Sequence, residues 1–167
     1  LRQFLSDQSD MSVAGEASTG AETVSMVRAE PYDVVLLDIS MPDKNGIDTL
    51  KTLKQVRPEL PILMLSGYAE DQYAVNLLRA GASGYLNKEA ASTQLVGAIR
   101  TVVRGRKFVS PALAQILADG VTGDADRPLH GELSQREFQI FCKLAAGAAV
   151  SKIADEQLFY LMSRGLS

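Results

Sequence analysis

Residues Asp33 to Gly46 read DVVLLDISMPDKNG, and this stretch decides the fold. An apolar run from Val34 to Leu37 ends abruptly in a carboxylate, Asp38, and a turn-rich loop follows with Pro42, Asp43, Asn45 and Gly46. Such a run predicts a strand covered on both faces, which is the habit of parallel sheets. Open α/β sheets place their ligands outside the carboxyl ends of the strands, which is where Asp38 falls. A carboxylate there can hold a metal, act as a base, or be phosphorylated as a nucleophile.

Outward from this strand the pattern repeats. Strand signals at Ser12–Ala17, Asp33–Asp38, Pro61–Ser66 and Gly84–Asn87 alternate with helical ones at Ala21–Ala29, Ile47–Val56, Asp71–Ala80 and Thr93–Val103. The last helix is the clearest, with Leu95, Ile99, Val102 and Val103 at helical spacing. Gly81 stands where a left-handed cap is expected after Ala80. Short strands alternating with helices predict βαβ units and a parallel sheet. Right-handed crossovers then bring the ends of three strands, with Asp38, Ser66 and Lys88, onto one edge. Ahead of the first strand, LRQFLSDQSD reads as the end of an amphipathic helix with Leu1, Phe4 and Leu5 on one side.

After Val103 the texture changes. Gly105-Arg106-Lys107 breaks the pattern, Ser110–Ala118 predicts a short helix with Pro111 in its first turn, and Asp119–Glu132 is rich in Gly, Asp and Pro, as a flexible linker is. Ser134 and Glu137 form a capping box that starts a new helix, with Phe138, Phe141, Leu144 and Ala145 on its apolar face and Gly147 at its end. A second helix starts near Ser151, with Val150, Ile153 and Ala154 facing inward.

The net charge of −3 carries no global signal for nucleic acid, so any DNA partner must be read locally. The single cysteine, Cys142, has no partner for an internal disulfide, and no Cys/His cluster suggests zinc, which points to a reducing, cytosolic setting. No apolar run reaches membrane-spanning length, and the first residues are not a signal peptide. Phosphate-loop, dinucleotide, nucleophile-elbow and zinc-protease motifs are all missing. His130 reads as an incidental loop residue, and Cys142 as a packed or surface thiol. Arg100, Arg104, Arg106 and Lys107 read as a solvated helix end, with contact to a partner or DNA as the alternative.

If Asp38 accepts a phosphoryl group, the site needs a cation for the incoming oxygens, a lysine to bridge to the phosphate and a small hydroxyl to sense it. Lys88 and Ser66, each ending its own strand, are of the right types. Taken singly, Asp38 reads as a helix cap, Lys88 as a solvated turn lysine and Ser66 as a loop hydroxyl. Three compatible groups on three neighbouring strand ends favour a shared role.

At this point residues 1–104 resemble the receiver domain of two-component response regulators. DISMPDKNG is similar to the phosphoacceptor loop D-x-x-M-P-x-x-x-G, LSGYA to the strand end with the switch hydroxyl, and GASGYLNK to G-A-x-G-Y-L-x-K. The resemblance implies a flavodoxin-like fold in which Asp38 is phosphorylated by a sensor histidine kinase. It makes Ser66 the switch hydroxyl, Tyr85 the switch aromatic, which would turn into the space Ser66 vacates, and Lys88 the phosphate-bridging lysine. It also implies Mg²⁺, held by Asp38, the backbone carbonyl of Ser40 and an adjacent acidic pair. That pair follows the family's first, central strand, which the resemblance places ahead of Leu1. A sheet without that strand would expose two apolar edges.

The stretch LSQREFQIFCKLAAGAAVSKIADE resembles the opening of a LuxR-type helix-turn-helix of the NarL/FixJ class, matching at Leu133, Ser134, Arg136, Glu137, Leu144, Ala145, Gly147, Ile153 and Ala154. The following QLFYLMSRGLS is similar to the family's closing helix, with a junction near Glu156–Gln157 where the recognition helix belongs. No base-contacting residue can be named without that helix; Lys152 reads as a solvated surface lysine. The expected organisation is thus a receiver over 1–104, a linker with a short helix over 105–132, and a small, incomplete all-α DNA-binding domain over 133–167. The expected function is a non-enzymatic transcription regulator that dimerises on phosphorylation and binds promoter DNA. Two rivals stand beside it: an interaction module acting through protein contacts without DNA, and a hydrolase or phosphatase using Asp38 as nucleophile.

Overall fold

A computed structural model describes residues 2–39, 46–67, 74–122 and 159–163. The elements run α1 (Arg2–Ser6), β1 (Ser12–Ala17), α2 (Gly20–Ala29), β2 (Val34–Asp38), α3 (Gly46–Val56), β3 (Ile62–Ser66), α4 (Ala74–Arg79), β4 (Gly84–Asn87), α5 (Ala91–Val103), α6 (Pro111–Thr122) and β5 (Phe159–Ser163). One five-stranded sheet forms in the order β1-β5-β2-β3-β4.

The apolar run that opens β2 works as its pattern requires. Side chains alternate across a strand, so Val35 and Leu37 enter one core while Val34 and Leu36 enter the other. The first core joins Ile62, Met64 and Tyr85 of the sheet to Val27 of α2, Leu50 and Leu53 of α3, Leu77 of α4 and Leu113 of α6. The second joins Leu63, Leu65 and Leu86 to Leu5 of α1 and to Leu95, Ala98, Ile99 and Val102 of α5. Helices therefore cover both faces, as a sheet of doubly buried strands demands. Thr19 caps α2 by accepting from the Glu22 N–H at 3.1 Å, while the Glu22 carboxylate accepts from the Ser18 N–H at 2.7 Å. Gly81 ends α4 with φ +106, as expected.

Three expectations need correction. Phe159–Ser163, read as part of a closing helix, is a strand, and it runs antiparallel to both β1 and β2. Its backbone fills the gap between those two strands, the place the resemblance gives to a strand ahead of Leu1. The cause is the sheet's unmet hydrogen bonding: two facing edges present donors and acceptors that a buried core cannot leave empty. The sheet is consequently mixed rather than purely parallel. Second, α6 continues to Thr122, so the expected flexible linker starts later than Asp119; the rest of that linker lies outside the described residues. Third, Phe4 is exposed while Leu5 is fully buried, so the first helix turns only Leu5 to the core. Arg100, Arg104, Arg106 and Lys107 are exposed, as expected of a solvated helix end, and two of them make specific contacts. Arg100 makes a paired contact with the Asp10 carboxylate at 2.9 Å through both Nε and Nη2, and this hydrogen bonding raises its pKa. Lys107 donates to the Ala82 carbonyl.

If β5 holds β1 and β2 together, Leu161→Pro will release them, because Leu161 pairs with Gly15 on one side and Val35 on the other. Backbone amides of β1 and of Val34–Leu36 are then expected to exchange with solvent at least about tenfold faster. Unchanged protection in both strands would show that β5 does not hold the sheet. The capping box at Ser134 and the helices expected after it lie outside the described residues.

Candidate functional site

Register assembles the site. In the parallel pair β2–β3, Asp38 lies beside Leu65, and the Ile39 N–H donates to the Leu65 carbonyl at 3.0 Å. In β3–β4, Ser66 lies beside Asn87, and the Lys88 N–H donates to the Ser66 carbonyl at 2.7 Å. Three consecutive strands thus end level, and Asp38, Ser66 and Lys88 share one edge, the edge expected from the crossover rule.

Asp38 is 4% exposed and Ser66 is fully buried. A buried carboxylate is costly unless it is paired. Lys88 supplies the pairing: its stem spans from β4 past β3, and its Nζ forms a short, charged contact with Asp38 Oδ2. The Lys88 side chain as a whole stays about one-third exposed, at 35%. Asn87, which the motif reading left without a role, shapes the turn that presents Lys88. Its Oδ1 accepts from the Glu89 N–H at 2.9 Å and its carbonyl accepts from the Ala90 N–H at 3.1 Å.

Tyr85 is 1% exposed and sits in the apolar cluster with Ala74, Leu77, Ala82 and Leu113. The side chain is therefore buried, on the strand that leads to Lys88.

Gly46 closes the loop after Asp38. Its N–H donates to the Ile39 carbonyl at 3.2 Å, and a Cβ there would stand 2.5 Å from the Asp38 carbonyl oxygen and 2.8 Å from Ile39 Cα. Both obstacles are backbone and cannot swing away. Gly46 is the last residue of DVVLLDISMPDKNG, but nothing in a linear sequence shows such an approach.

Ser40, the expected carbonyl ligand for a metal, lies outside the described residues. Among the described residues no group of three or more His, Cys, Asp or Glu side chains could hold a metal ion. Asp38 by itself offers one carboxylate, which falls short of the near-octahedral oxygen shell that Mg²⁺ demands. The described residues do not make a Mg²⁺ site on their own.

The response regulator receiver domain family matches residues 1–100, the span that contains this edge. The chain belongs to that family. Among curated relatives, the response regulator UvrY of Escherichia coli O6:H1 is 33% identical over 157 residues, covering 93% of this chain and 72% of UvrY. The response regulator GacA of Pseudomonas protegens is 34% identical over 158 residues, covering 93% of this chain and 73% of GacA. Among solved structures, a LuxR-family two-component response regulator from Aurantimonas sp. SI85-9A1 superposes with a TM-score of 0.58 at 29% identity, covering 64% of this chain and 76% of that one. The response regulator ChrA of a haem-sensing two-component system reaches 0.54 at 31% identity, covering 87% of this chain and 68% of that one. These kinships make the chain a response regulator of the NarL/FixJ class. Response regulators of this kind are regulators rather than enzymes, and receiver domains typically bind Mg²⁺ at the phosphorylation site. Among the described residues, no helix is long and apolar enough to cross a membrane.

Proposed function

We propose that Asp38 is the phosphoacceptor of this response regulator and that its phosphorylation by a sensor histidine kinase controls transcription. The observation that carries the reading is the shared strand edge, with Lys88 Nζ on the Asp38 carboxylate and Ser66 one strand away. A carboxylate oxygen of Asp38 attacks the phosphorus of the phosphohistidine, the bond from phosphorus to the imidazole nitrogen breaks, and an acyl phosphate forms. Lys88 is placed to exchange its contact with Oδ2 for one with a phosphoryl oxygen. That meets the added negative charge with a cation already beside the carboxylate. The Ser66 hydroxyl donates to another oxygen, and Tyr85 shifts toward the space that Ser66 vacates. Asp38 and the Ser40 carbonyl would help to hold Mg²⁺, which would supply charge neutralisation at the phosphoryl oxygens.

In the same reading residues 1–104 form the receiver and residues from 133 onward belong to a LuxR-type DNA-binding domain, with Phe159–Ser163 contributed to the receiver sheet. The activated protein pairs with a second copy on promoter DNA, in the cytoplasm alongside its kinase. The rival without DNA binding is separated by a duplex-binding measurement across salt concentrations: specific, salt-dependent affinity supports the DNA-binding reading, and its absence favours the rival.

The phosphoacceptor reading is tested by exposing the chain to a small acyl-phosphate donor with Mg²⁺ and mapping the modification. A single acyl phosphate, labile to hydroxylamine and confined to the peptide carrying Asp38, is expected; modification elsewhere or none would overturn it. Ser66→Ala should keep incorporation within about threefold, since the hydroxyl senses the phosphate rather than attacking it, while the change in the Tyr85 ring resonances on phosphorylation is lost. An unaltered Tyr85 response in that variant would remove Ser66 from the switch.

A further inference from the structure

Between α5 and α6 the chain is strapped onto β4. The Phe108 N–H donates to the Ser83 carbonyl at 2.9 Å, Phe108 pairs with Gly84 as a short parallel bridge, and Lys107 Nζ donates to the Ala82 carbonyl. The approach is close enough to exclude any side chain at position 84. A Cβ on Gly84 would lie 2.9 Å from both the Cβ and the carbonyl oxygen of Phe108, and 2.8 Å from Leu63 Cδ1. Ser110, itself buried, then starts α6: its hydroxyl accepts from the Leu113 N–H at 3.2 Å and its carbonyl from the Ala114 N–H at 2.9 Å. The helix lays Leu113, fully buried, into the cluster that holds Tyr85, Ala74 and Leu77, and Leu117 packs against the same cluster.

We propose that the strap over residues 106–110 and α6 form a mechanical relay, carrying a displacement of β4 at the Asp38 site outward to the chain beyond Thr122. The proposal rests on Asp38 being the phosphoacceptor. Strand β4 has four residues. Its first is locked to Phe108, its second is Tyr85, and the residue after its last is Lys88, which contacts Asp38. A segment so short, hydrogen-bonded to β3 along its length, moves as a unit. When Lys88 follows a phosphoryl oxygen, the strap must follow β4, because a backbone bridge and a close backbone approach cannot stretch. Any movement of Tyr85 also changes the volume available to Leu113, and a close-packed core answers with a shift of the helix rather than with a void. Both couplings converge on α6.

Amide hydrogen exchange of the full chain, with and without the acyl-phosphate donor and Mg²⁺, tests the relay, with intact mass read on the same samples. Phosphorylation is expected to change exchange across residues 106–119 by at least about threefold. Leu113→Ala should abolish the change in 111–119 while the phosphoryl uptake remains. Lys107→Gln, which removes the tie to Ala82 without emptying the core, should diminish the change across 106–110 in a chain that stays folded. Uptake of phosphate with unaltered exchange over 106–119 in the unmodified sequence overturns the relay alone. Absence of uptake overturns the phosphoacceptor reading and the relay with it.

Discussion

A chain carrying Asp38→Asn will take up no phosphoryl group while keeping its fold. The amide matches the carboxylate in shape but lacks the anionic oxygen that attacks phosphorus, so uptake from an acyl-phosphate donor should fall by more than about a thousandfold. The cost in stability is modest for a specific reason. Losing Asp38's charge leaves the Lys88 ammonium without its short contact, yet that side chain is 35% exposed and water takes over much of the solvation. The melting temperature should therefore move by no more than roughly 5 °C, which separates loss of chemistry from loss of structure. Intact mass after reaction, read beside a thermal melt, makes the comparison. Uptake that persists in this variant would mean that another carboxylate is the acceptor, and the shared edge would lose its meaning.

Gly46→Val will destabilise the receiver more than any conservative change in its helices. Even the first carbon of a side chain at position 46 would sit 2.5 Å from the Asp38 carbonyl oxygen and 2.8 Å from Ile39 Cα. A Cβ essentially never makes contacts that short, and here both partners are backbone at the end of a strand buried along its whole length. The start of α3 must move away, dragging Ile47 and Leu50 out of the core they fill. A loss of about 4 kcal/mol is expected, lowering the melting temperature by roughly 8–16 °C. Gly97→Ala is the internal control. Position 97 lies within α5 with nothing within 4 Å of its missing Cβ, so alanine there should stabilise by about 0.5–1 kcal/mol through helix propensity. A Gly46→Val chain as stable as the original would show that the loop does not close on Asp38 as described.

Much of the site was legible before any coordinates. Asp38, Ser66 and Lys88 were placed on one edge by strand periodicity and the handedness of crossovers, and the structure brings Lys88 Nζ onto Asp38 as that placement required. Strands β2 and β3 were anticipated to within a residue because doubly buried strands announce themselves as unbroken apolar runs. The sequence marked Gly46 and Gly84 only as loop and motif glycines and was silent on their steric role, because a close approach between backbones distant along the chain leaves no periodic trace. The strap was hidden for the same reason. Gly105-Arg106-Lys107 signalled only a break in the helical pattern, while the partner that makes it a strap, the start of β4, lies more than twenty residues earlier.

The sharpest division concerns Phe159–Ser163. Alone, FYLMS suits a helix or a strand about equally, since five largely apolar residues show no period long enough to choose. Similarity to a closing helix favoured one answer, and the tertiary structure took the other: the facing edges of β1 and β2 offer a ladder of donors and acceptors that only an extended segment can satisfy. Sequence by itself determined the alternation of strands and helices and which residues share the carboxyl edge, because those follow from local periodicity and chain handedness. Which segment fills the central gap, how near the chain after α5 comes to β4, and which glycines are indispensable were decided only when distant backbones met, because hydrogen-bond satisfaction and steric contact belong to pairs of segments and not to either one.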